Sequence, residues 1–315
     1  MPLPARTWLV VLFGLIVVPV MSFADDAKPK RVLFVTHSSG FVHDSVGVAE
    51  DVLTELGPKN GFVVTTYRFT GDPKARVKVK GKNKDDVETE LNALEAYNKN
   101  FRPRTGKSAE PENCGRINKE TLKNFDCVFF FTTGNPLTKE ELGDLSEWIK
   151  AGGAFGGTHC ATDTNYDLPA YGELIGGYFK THPSGIQKVK LRVEDPKHPA
   201  AKGLENGMAY DDEIYIFRDE PYNREKLHVI LSADDFDLKK YTKKAEDVAR
   251  MERKDGDYAI SWCKEIGKGK VFYTSLGHQK KVWNDPVFQT HLVGGMKWAM
   301  GQLPGDAAPS KSKGN

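Results

Sequence analysis

The sequence has few cysteines, no internal repeat and no excess of charge of either sign. Its four cysteines, Cys114, Cys127, Cys160 and Cys263, are widely spaced and follow no zinc-ribbon pattern. We therefore predict no obligatory disulfide framework, even in an oxidising compartment. Because 39% of the residues are hydrophobic, the chain can instead build an ordinary apolar core.

The charge balance argues against a general nucleic-acid binder. The chain has 45 Lys and Arg residues against 43 Asp and Glu residues, a net charge of +2, whereas nucleic-acid binders normally carry a strong basic excess. A locally basic stretch from Lys74 to Lys107 also contains five acidic residues. We interpret it as a solvated insertion rather than as a site for an anionic partner.

Only one long apolar run is present, and it lies at the N-terminus. Arg6 precedes the apolar segment 8–18, and Ser22-Phe23-Ala24 supplies the small residues that a signal peptidase recognises. The run is shorter than the ~20 residues that a membrane-spanning helix requires. We predict a cleaved signal peptide over residues 1–24 and a linker over 25–30. The mature protein is then periplasmic or secreted, without stable membrane insertion; an uncleaved membrane anchor is the alternative.

The rest of the chain alternates strands and helices. A strand over 31–36, a helix over 44–56 and a strand over 62–67 form a βαβ unit, which implies a parallel sheet. The pattern resumes with a strand over 126–131, a helix over 138–150 and a strand from residue 154. These elements predict one α/β domain over residues 31–301 with an open, mostly parallel sheet and helices on both faces.

The remaining segments extend or interrupt this domain. Insertions are predicted at about 71–117, with a hairpin or loop over 74–84 and a helix over 85–98, and at about 234–257, helical in part. Residues 302–315 are predicted to be a disordered tail. Strands are predicted at 187–193, 209–217, 228–231, 258–263 and 270–274, and a last helix at 285–300.

Histidines concentrate at one predicted edge of the sheet, where open α/β sheets bind their ligands. Five of the eight histidines fall in loops at or near the carboxyl ends of strands: His37, His43, His159, His182 and His278. The segment Gly156-Gly-Thr-His159-Cys-Ala-Thr-Asp163 is typical of a sharp turn after a strand, the arrangement of a nucleophile elbow. A second strand delivers His278 to the same edge.

Five segments together resemble the trehalose-utilisation (ThuA-like) family. They are Phe41-Val-His-Asp44, Gly157-Thr-His159, Gly176-Gly-Tyr-Phe-Lys-Thr-His-Pro183, Asp212-Glu-Ile-Tyr215 and Gly267-Lys-Gly-Lys-Val-Phe-Tyr-Thr-Ser-Leu-Gly-His278. The resemblance spans roughly residues 31–301. It implies a flavodoxin-like fold similar to class I glutamine amidotransferases, and a link to sugar metabolism.

The chain departs from amidotransferases where their chemistry resides. His159 stands where the family fold implies a nucleophilic cysteine, and Cys160 comes one residue later, so its side chain should point elsewhere. His278 resembles the catalytic histidine, but Lys280 replaces the acid that should follow. We therefore do not expect a functional glutamine amidotransferase, whose synthetic partner would normally be cytoplasmic.

The candidate site follows from these positions. We expect His159 and His278 to be catalytic together with an acid, Glu213 or Asp163; Asp212 and Glu213 would face opposite ways if both lay within a strand. Histidine is a good general acid or base and a good metal ligand. The candidate substrate-binding residues are His43, Asp44, Tyr178, His182, Asp212 and Tyr215. A divalent metal, with zinc as the natural candidate, would use His43, His159, His182 and His278.

These observations predict an exported enzyme that acts on a small carbohydrate or keto-sugar derivative by hydrolase, lyase or isomerase chemistry. Two alternatives remain open. The first is a sugar-binding module that has the cleft without the chemistry. The second is a cysteine hydrolase or amidase that uses Cys160 with His278. The sequence does not define the substrate, the bound metal or the oligomeric state.

Overall fold

A computed structural model describes residue 1 and the ranges 28–79, 88–234 and 236–311. Residues 2–24 of the predicted signal peptide and 25–27 of the predicted linker lie outside these residues. Within the described ranges, no helix combines the length and the apolar character needed to cross a membrane.

The described residues form thirteen strands and eight α-helices. The strands are β1 (Lys30–Val35), β2 (Phe62–Tyr67), β3 (Arg76–Val79), β4 (Thr89–Asn92), β5 (Cys127–Phe130), β6 (Ala154–Thr158), β7 (Phe179–Thr181), β8 (Gln187–Val193), β9 (Ala209–Asp212), β10 (Ile216–Phe217), β11 (His228–Asp234), β12 (Ala259–Ile266) and β13 (Gly269–Thr274). The helices are α1 (Val46–Lys59), α2 (Ala93–Thr105), α3 (Lys119–Leu122), α4 (Lys139–Lys150), α5 (Pro169–Ile175), α6 (Ala245–Met251), α7 (Lys280–Trp283) and α8 (Pro286–Ala299).

Nine strands build the main sheet in the order β2-β1-β5-β6-β13-β12-β11-β8-β9. The first five strands are parallel and have the strand order of flavodoxin-like folds. The other four strands continue the sheet in antiparallel fashion. The predicted α/β, flavodoxin-like class is therefore confirmed, with an antiparallel extension that the sequence pattern did not specify.

Alternating side chains of the parallel strands pack on opposite faces of the sheet. Val32 and Phe34 of β1 point into one apolar cluster, which α1 and α8 cover. Leu33 and Val35 point into the other, which α4 and α5 cover. Because strand side chains alternate and both faces carry helices, the strands are apolar along their whole length. In the parallel part of the sheet, this layering leaves the ends of the strands open for polar residues.

Two predicted elements are misplaced. The helix predicted over 85–98 begins at Ala93 instead, because Asn92 caps it with a reciprocal capping box, and it ends at Thr105. The strand predicted over 209–217 is interrupted between Asp212 and Ile216, where the backbone N–H of Ile214 donates to the Gln187 side chain. This interruption determines the site described below.

Both insertions contain regular structure. The first holds the hairpin of β3 and β4, whose connecting residues 80–87 lie outside the described residues. The second contains α6, in agreement with a partly helical segment. Residues 302–311 of the predicted disordered tail lie against the body, where Ser310 donates its N–H to Leu227 and Ala308 accepts from His228. The tail thus differs from the prediction over its described part, because its backbone finds hydrogen-bond partners.

Candidate active site at the carboxyl edge of the sheet

His159 occupies a strained turn at the end of β6. Its backbone has a φ of +45°, a region that residues other than glycine rarely adopt, and its side chain is fully buried. Gly157 makes the turn possible, because a Cβ at this position would lie 2.4 Å from the Ala161 Cβ. The predicted elbow geometry is present, with an imidazole at its tip. Strain of this kind concentrates at functional sites.

The orientation of the His159 ring is determined by the backbone. Its Nδ1 lies 2.8 Å from the carbonyl oxygen of Ser275, and a carbonyl can only accept, so Nδ1–H is the donor. In the neutral ring Nε2 is then an acceptor. The parallel pairing of Thr158 with Thr274 brings Ser275 to this position.

Three other side chains meet His159. The Nε2 of His159 lies 3.2 Å from the Nδ1 of His278, and Oε2 of Glu213 lies 3.4 Å from the former and 3.3 Å from the latter. His43 joins them, and the four donor atoms lie within 4.8 Å of one another. We call His43, His159, Glu213 and His278 the carboxyl-edge cluster.

The strand break after Asp212 is what brings Glu213 into the cluster. Since β9 ends at Asp212, the alternation expected within a strand does not apply, and the two neighbouring acids act at the same place. Oδ2 of Asp212 accepts from the backbone N–H groups of Gly277, at 2.7 Å, and His278, at 3.3 Å. Asp212 thus holds the loop that carries His278, while Glu213 contacts the histidine rings.

Burial and charge shift the ionisation of these groups. Burial alone would raise the pKa of Glu213, but its interactions with the neighbouring imidazoles of His159 and His278 outweigh burial and lower that pKa well below its usual range. Burial would lower the pKa of His278, but Glu213 raises it on balance. For His43, burial and the neighbouring His159 and His278 lower the pKa. The cluster therefore combines an ionised carboxylate with imidazoles of different basicity.

Comparison with known proteins identifies the family. The family model described as ThuA, trehalose utilisation, matches residues 31–299. The chain belongs to the ThuA family. Two solved structures of similar fold are ThuA-like proteins. That from Bacteroides uniformis has a TM-score of 0.56 at 20% identity, over 88% of this chain and 93% of that one. That from Parabacteroides merdae has a TM-score of 0.53 at 14% identity, over 89% and 93%. No curated protein matches the chain.

Beside the cluster of this ThuA-family chain lie His182 and Tyr215. The Nδ1 of His182 is 3.3 Å from Oε1 of Glu213 and 2.7 Å from the carbonyl oxygen of Pro183. Its side chain is 35% exposed, so it lies on the solvent side of Glu213. The buried ring of Tyr215 lies 4.2 Å from the His159 ring. His182 is thus a neighbour of the cluster rather than one of its four members.

Other predicted site residues lie apart from the cluster. Asp44 is exposed and pairs with Lys280 at 3.2 Å. Tyr178 is buried, and its hydroxyl donates to the carbonyls of Asn165 and Leu168. Asp163 is outside the four-residue group, and burial raises its pKa.

Cys160, one residue after the elbow, is also not a member of the cluster. It is fully buried in the apolar core, and burial raises the pKa of its thiol well above the ordinary value. A thiol in this environment is a poor nucleophile. The geometry therefore does not support the cysteine hydrolase alternative.

Sequence reasoning missed an aromatic residue beside the site. Phe41 is 56% exposed, its ring lies 4.8 Å from that of His43, and the Arg104 guanidinium lies 5.0 Å from its centroid. An aromatic residue two positions before a candidate site histidine was the available signal. Arg104 had none, because the last turn of α2, which carries it, belongs to the first insertion and is distant in sequence from His43.

Proposed function

We propose that this chain is an exported ThuA-family enzyme that acts on a carbohydrate or keto-sugar derivative. The proposed reaction is a hydrolysis, an elimination or an isomerisation at the carboxyl-edge cluster. The observation that carries the proposal is the convergence of His159, His278 and Glu213 within 3.4 Å of one another. Titratable groups with shifted pKa values concentrate at functional sites.

The chemistry of these reactions matches the groups present. Each reaction requires a proton to leave a sugar atom or, in a hydrolysis, the attacking water, and another proton to reach a sugar oxygen. An acceptor and a donor must therefore lie within about 3 Å of the reacting atoms. An ionised Glu213 with imidazoles around it supplies both. His278 and His182 are 26% and 35% exposed, so a substrate can approach the cluster from their side.

A carbohydrate is the substrate class best supported. The family is described by trehalose utilisation, and the exposed ring of Phe41 beside His43 offers an apolar face for a sugar ring. Ligand sites typically combine such aromatic surface with a few convergent polar groups. Export is proposed from the sequence of residues 1–24, and N-terminal sequencing of the mature protein tests it: a mature chain that begins near Asp25 is expected.

The experiment is a turnover screen with disaccharides, glycosides and their keto derivatives. His159→Ala and His278→Ala should each lower turnover about 10²- to 10⁴-fold, the usual range for a lost acid–base catalyst. His228→Gln is the matched control, because His228 lies at the start of β11, at the opposite edge of the sheet.

Two outcomes would contradict the proposal. Full turnover in both active-site variants would remove the cluster from catalysis. Sugar binding by the wild-type protein without conversion of any bound sugar would instead favour the non-catalytic binding module.

A further inference from the structure

We propose that His159, His278 and Glu213 bind a divalent transition-metal ion, with zinc as the reference ion. The proposal deepens the proposed function, on which it rests for the catalytic role of the ion but not for binding itself. In the loaded protein the ion would polarise a sugar oxygen or activate a bound water.

The first argument is distance. Oε2 of Glu213, Nε2 of His159 and Nδ1 of His278 form a triangle with sides of 3.4, 3.3 and 3.2 Å. Tetrahedral zinc ligands lie ~2.1 Å from the ion and therefore about 3.4 Å from one another. The three donor atoms thus already have the spacing of a tetrahedral face, without any movement of the backbone.

The second argument is the number of protons. Nδ1 of His159 is oriented to the carbonyl of Ser275, so in the neutral tautomer that donates there the Nε2 lone pair faces a carboxylate oxygen at 3.4 Å. Nδ1 of His278 contacts both Nε2 of His159 and Oε2 of Glu213. A single proton on Nδ1 can form a good hydrogen bond with only one of these two atoms. A single cation within the triangle satisfies all three lone pairs together.

The third argument is an unpartnered polar atom. The Nδ1 of His43 is buried and has no hydrogen-bond partner among the described residues. The His43 ring lies 4.8 Å from the His159 ring and 5.3 Å from the His278 ring, perpendicular to both. Buried polar atoms normally have a partner, so an orphan beside three convergent donors points to a missing ligand.

The supporting contacts also match a metal centre. Metal-bound histidines usually donate their other ring N–H to a carbonyl or carboxylate, as His159 does to Ser275. Asp212 holds the His278 loop through two backbone N–H groups. These contacts orient the ligands before an ion arrives, which lowers the cost of binding.

The donor set selects the class of ion. Two imidazole nitrogens and one carboxylate oxygen suit zinc and its transition-metal neighbours, whereas Mg²⁺ and Ca²⁺ prefer oxygen ligands alone. Three protein ligands leave a further position open for water or substrate, as in catalytic zinc sites. The donor atom of His43 lies within 4.8 Å of those of the three ligands.

The test is metal binding by the full mature chain after treatment with EDTA and dialysis. Calorimetry with Zn²⁺ should give one ion per chain, and Mg²⁺ should give no binding at the same concentrations. His159→Ala and Glu213→Gln should each weaken Zn²⁺ binding at least 100-fold, while His228→Gln leaves it unchanged. Thermal unfolding of each metal-free variant shows whether it is folded.

Cobalt gives an independent readout. Because the proposed ligands include no thiolate, bound Co²⁺ should show weak visible d–d absorption and no intense thiolate charge-transfer band. Zinc binding that survives both ligand variants, or a thiolate band with Co²⁺, would overturn the metal site.

The outcomes separate the two proposals. An ion that binds through His159 and Glu213 without turnover of any sugar supports the metal site and contradicts the proposed function. Turnover that persists with no bound ion contradicts the catalytic role of the ion and leaves the proposed function standing.

Discussion

Two groups of histidines lie at opposite edges of one sheet, and they differ in the hydrogen-bond partners of their ring nitrogens. The amino-edge cluster consists of Asp195, His198, His228 and Cys263. There, His228 contacts the Ala308 carbonyl through Nδ1 at 2.7 Å and Asp195 through Nε2 at 3.0 Å. His198 accepts the Ala200 N–H and contacts the Cys263 sulfur at 3.7 Å. Each ring nitrogen has its own partner.

In the carboxyl-edge cluster, by contrast, several acceptors compete for the same few protons. His159, Glu213 and His278 contact one another, and the Nδ1 of His43 has no hydrogen-bond partner among the described residues. Residue type alone therefore does not distinguish a functional histidine from a structural one. Convergence of unsatisfied lone pairs does, because a protein keeps such a costly arrangement only where a ligand or reaction relieves it.

The largest expected effect is that of Glu213→Gln. The amide has the shape of the carboxylate but neither its charge nor its basicity, so sugar turnover should fall about 10²- to 10⁴-fold. Steady-state kinetics on the substrate found by the screen measures the loss. Asp195→Asn in the amino-edge cluster is the matched control and should retain turnover; equal losses in both variants would erase the difference between the clusters.

A smaller effect is expected for Asp212→Asn. Asp212 accepts hydrogen bonds from the backbone N–H groups of Gly277 and His278 and does not contact the histidine rings, so it is a positioning residue. We expect turnover to fall about 10- to 100-fold, as for the loss of groups that orient an active-site ligand. Asp212→Glu should not rescue it, since the longer side chain displaces the loop. A change in kcat at constant KM, with unaltered thermal unfolding, separates positioning from a structural role.

The amino-edge cluster should control stability at acid pH. Burial, followed by the charge of His228, lowers the pKa of His198 to about 3 from its ordinary value near 6.5. The unfolded chain therefore takes up a proton below pH 6.5 that the folded chain does not. The contribution of His198 to the free energy of unfolding is fully present above that pH. It falls as the pH decreases towards 3, by at most about 1.4 kcal/mol per pH unit.

His198→Asn tests this dependence. Asn retains an acceptor for the Ala200 N–H, as a helix-capping residue does, but it does not titrate. Urea unfolding at pH 7 and pH 5 should show a shallower loss of stability in the variant than in the wild type. An identical pH dependence would mean that His198 is not protonated on unfolding; His37 and His291, whose pKa values burial lowers to about 4, then carry the acid sensitivity.

The smallest effect concerns Cys160. Because its thiol is buried and its pKa is raised, alkylation of the folded protein should leave it unmodified and turnover unchanged. Mass spectrometry after iodoacetamide treatment, with and without urea, measures this. Cys114, which is partly exposed, is the internal control. Modification of Cys160 in the folded state, with loss of activity, would revive the cysteine hydrolase alternative.

Local patterns were sufficient to predict much of the fold. Apolar runs and helical spacing predicted most strands to within a few residues, as with Phe62–Tyr67 and Gln187–Val193, because each depends on neighbours in the chain. The start of the helix at Ala93 was predicted too early. Residues 85–92 are compatible with a helix, but the capping residue Asn92 determines where the helix begins.

The sequence by itself determined that His159 and His278 follow strands and that a glycine-rich segment precedes His159. Only the tertiary structure decided that Glu213, rather than Asp163, meets them, and that His43 joins the cluster while His182 stays beside it. The reason is distance along the chain. The pairing of β6 with β13 brings together residues more than 100 positions apart, and the break after Asp212 depends on a hydrogen bond from Ile214 to Gln187. The periodicity of a sequence indicates which face of a strand or helix a residue occupies, but not which residue from a distant part of the chain it contacts.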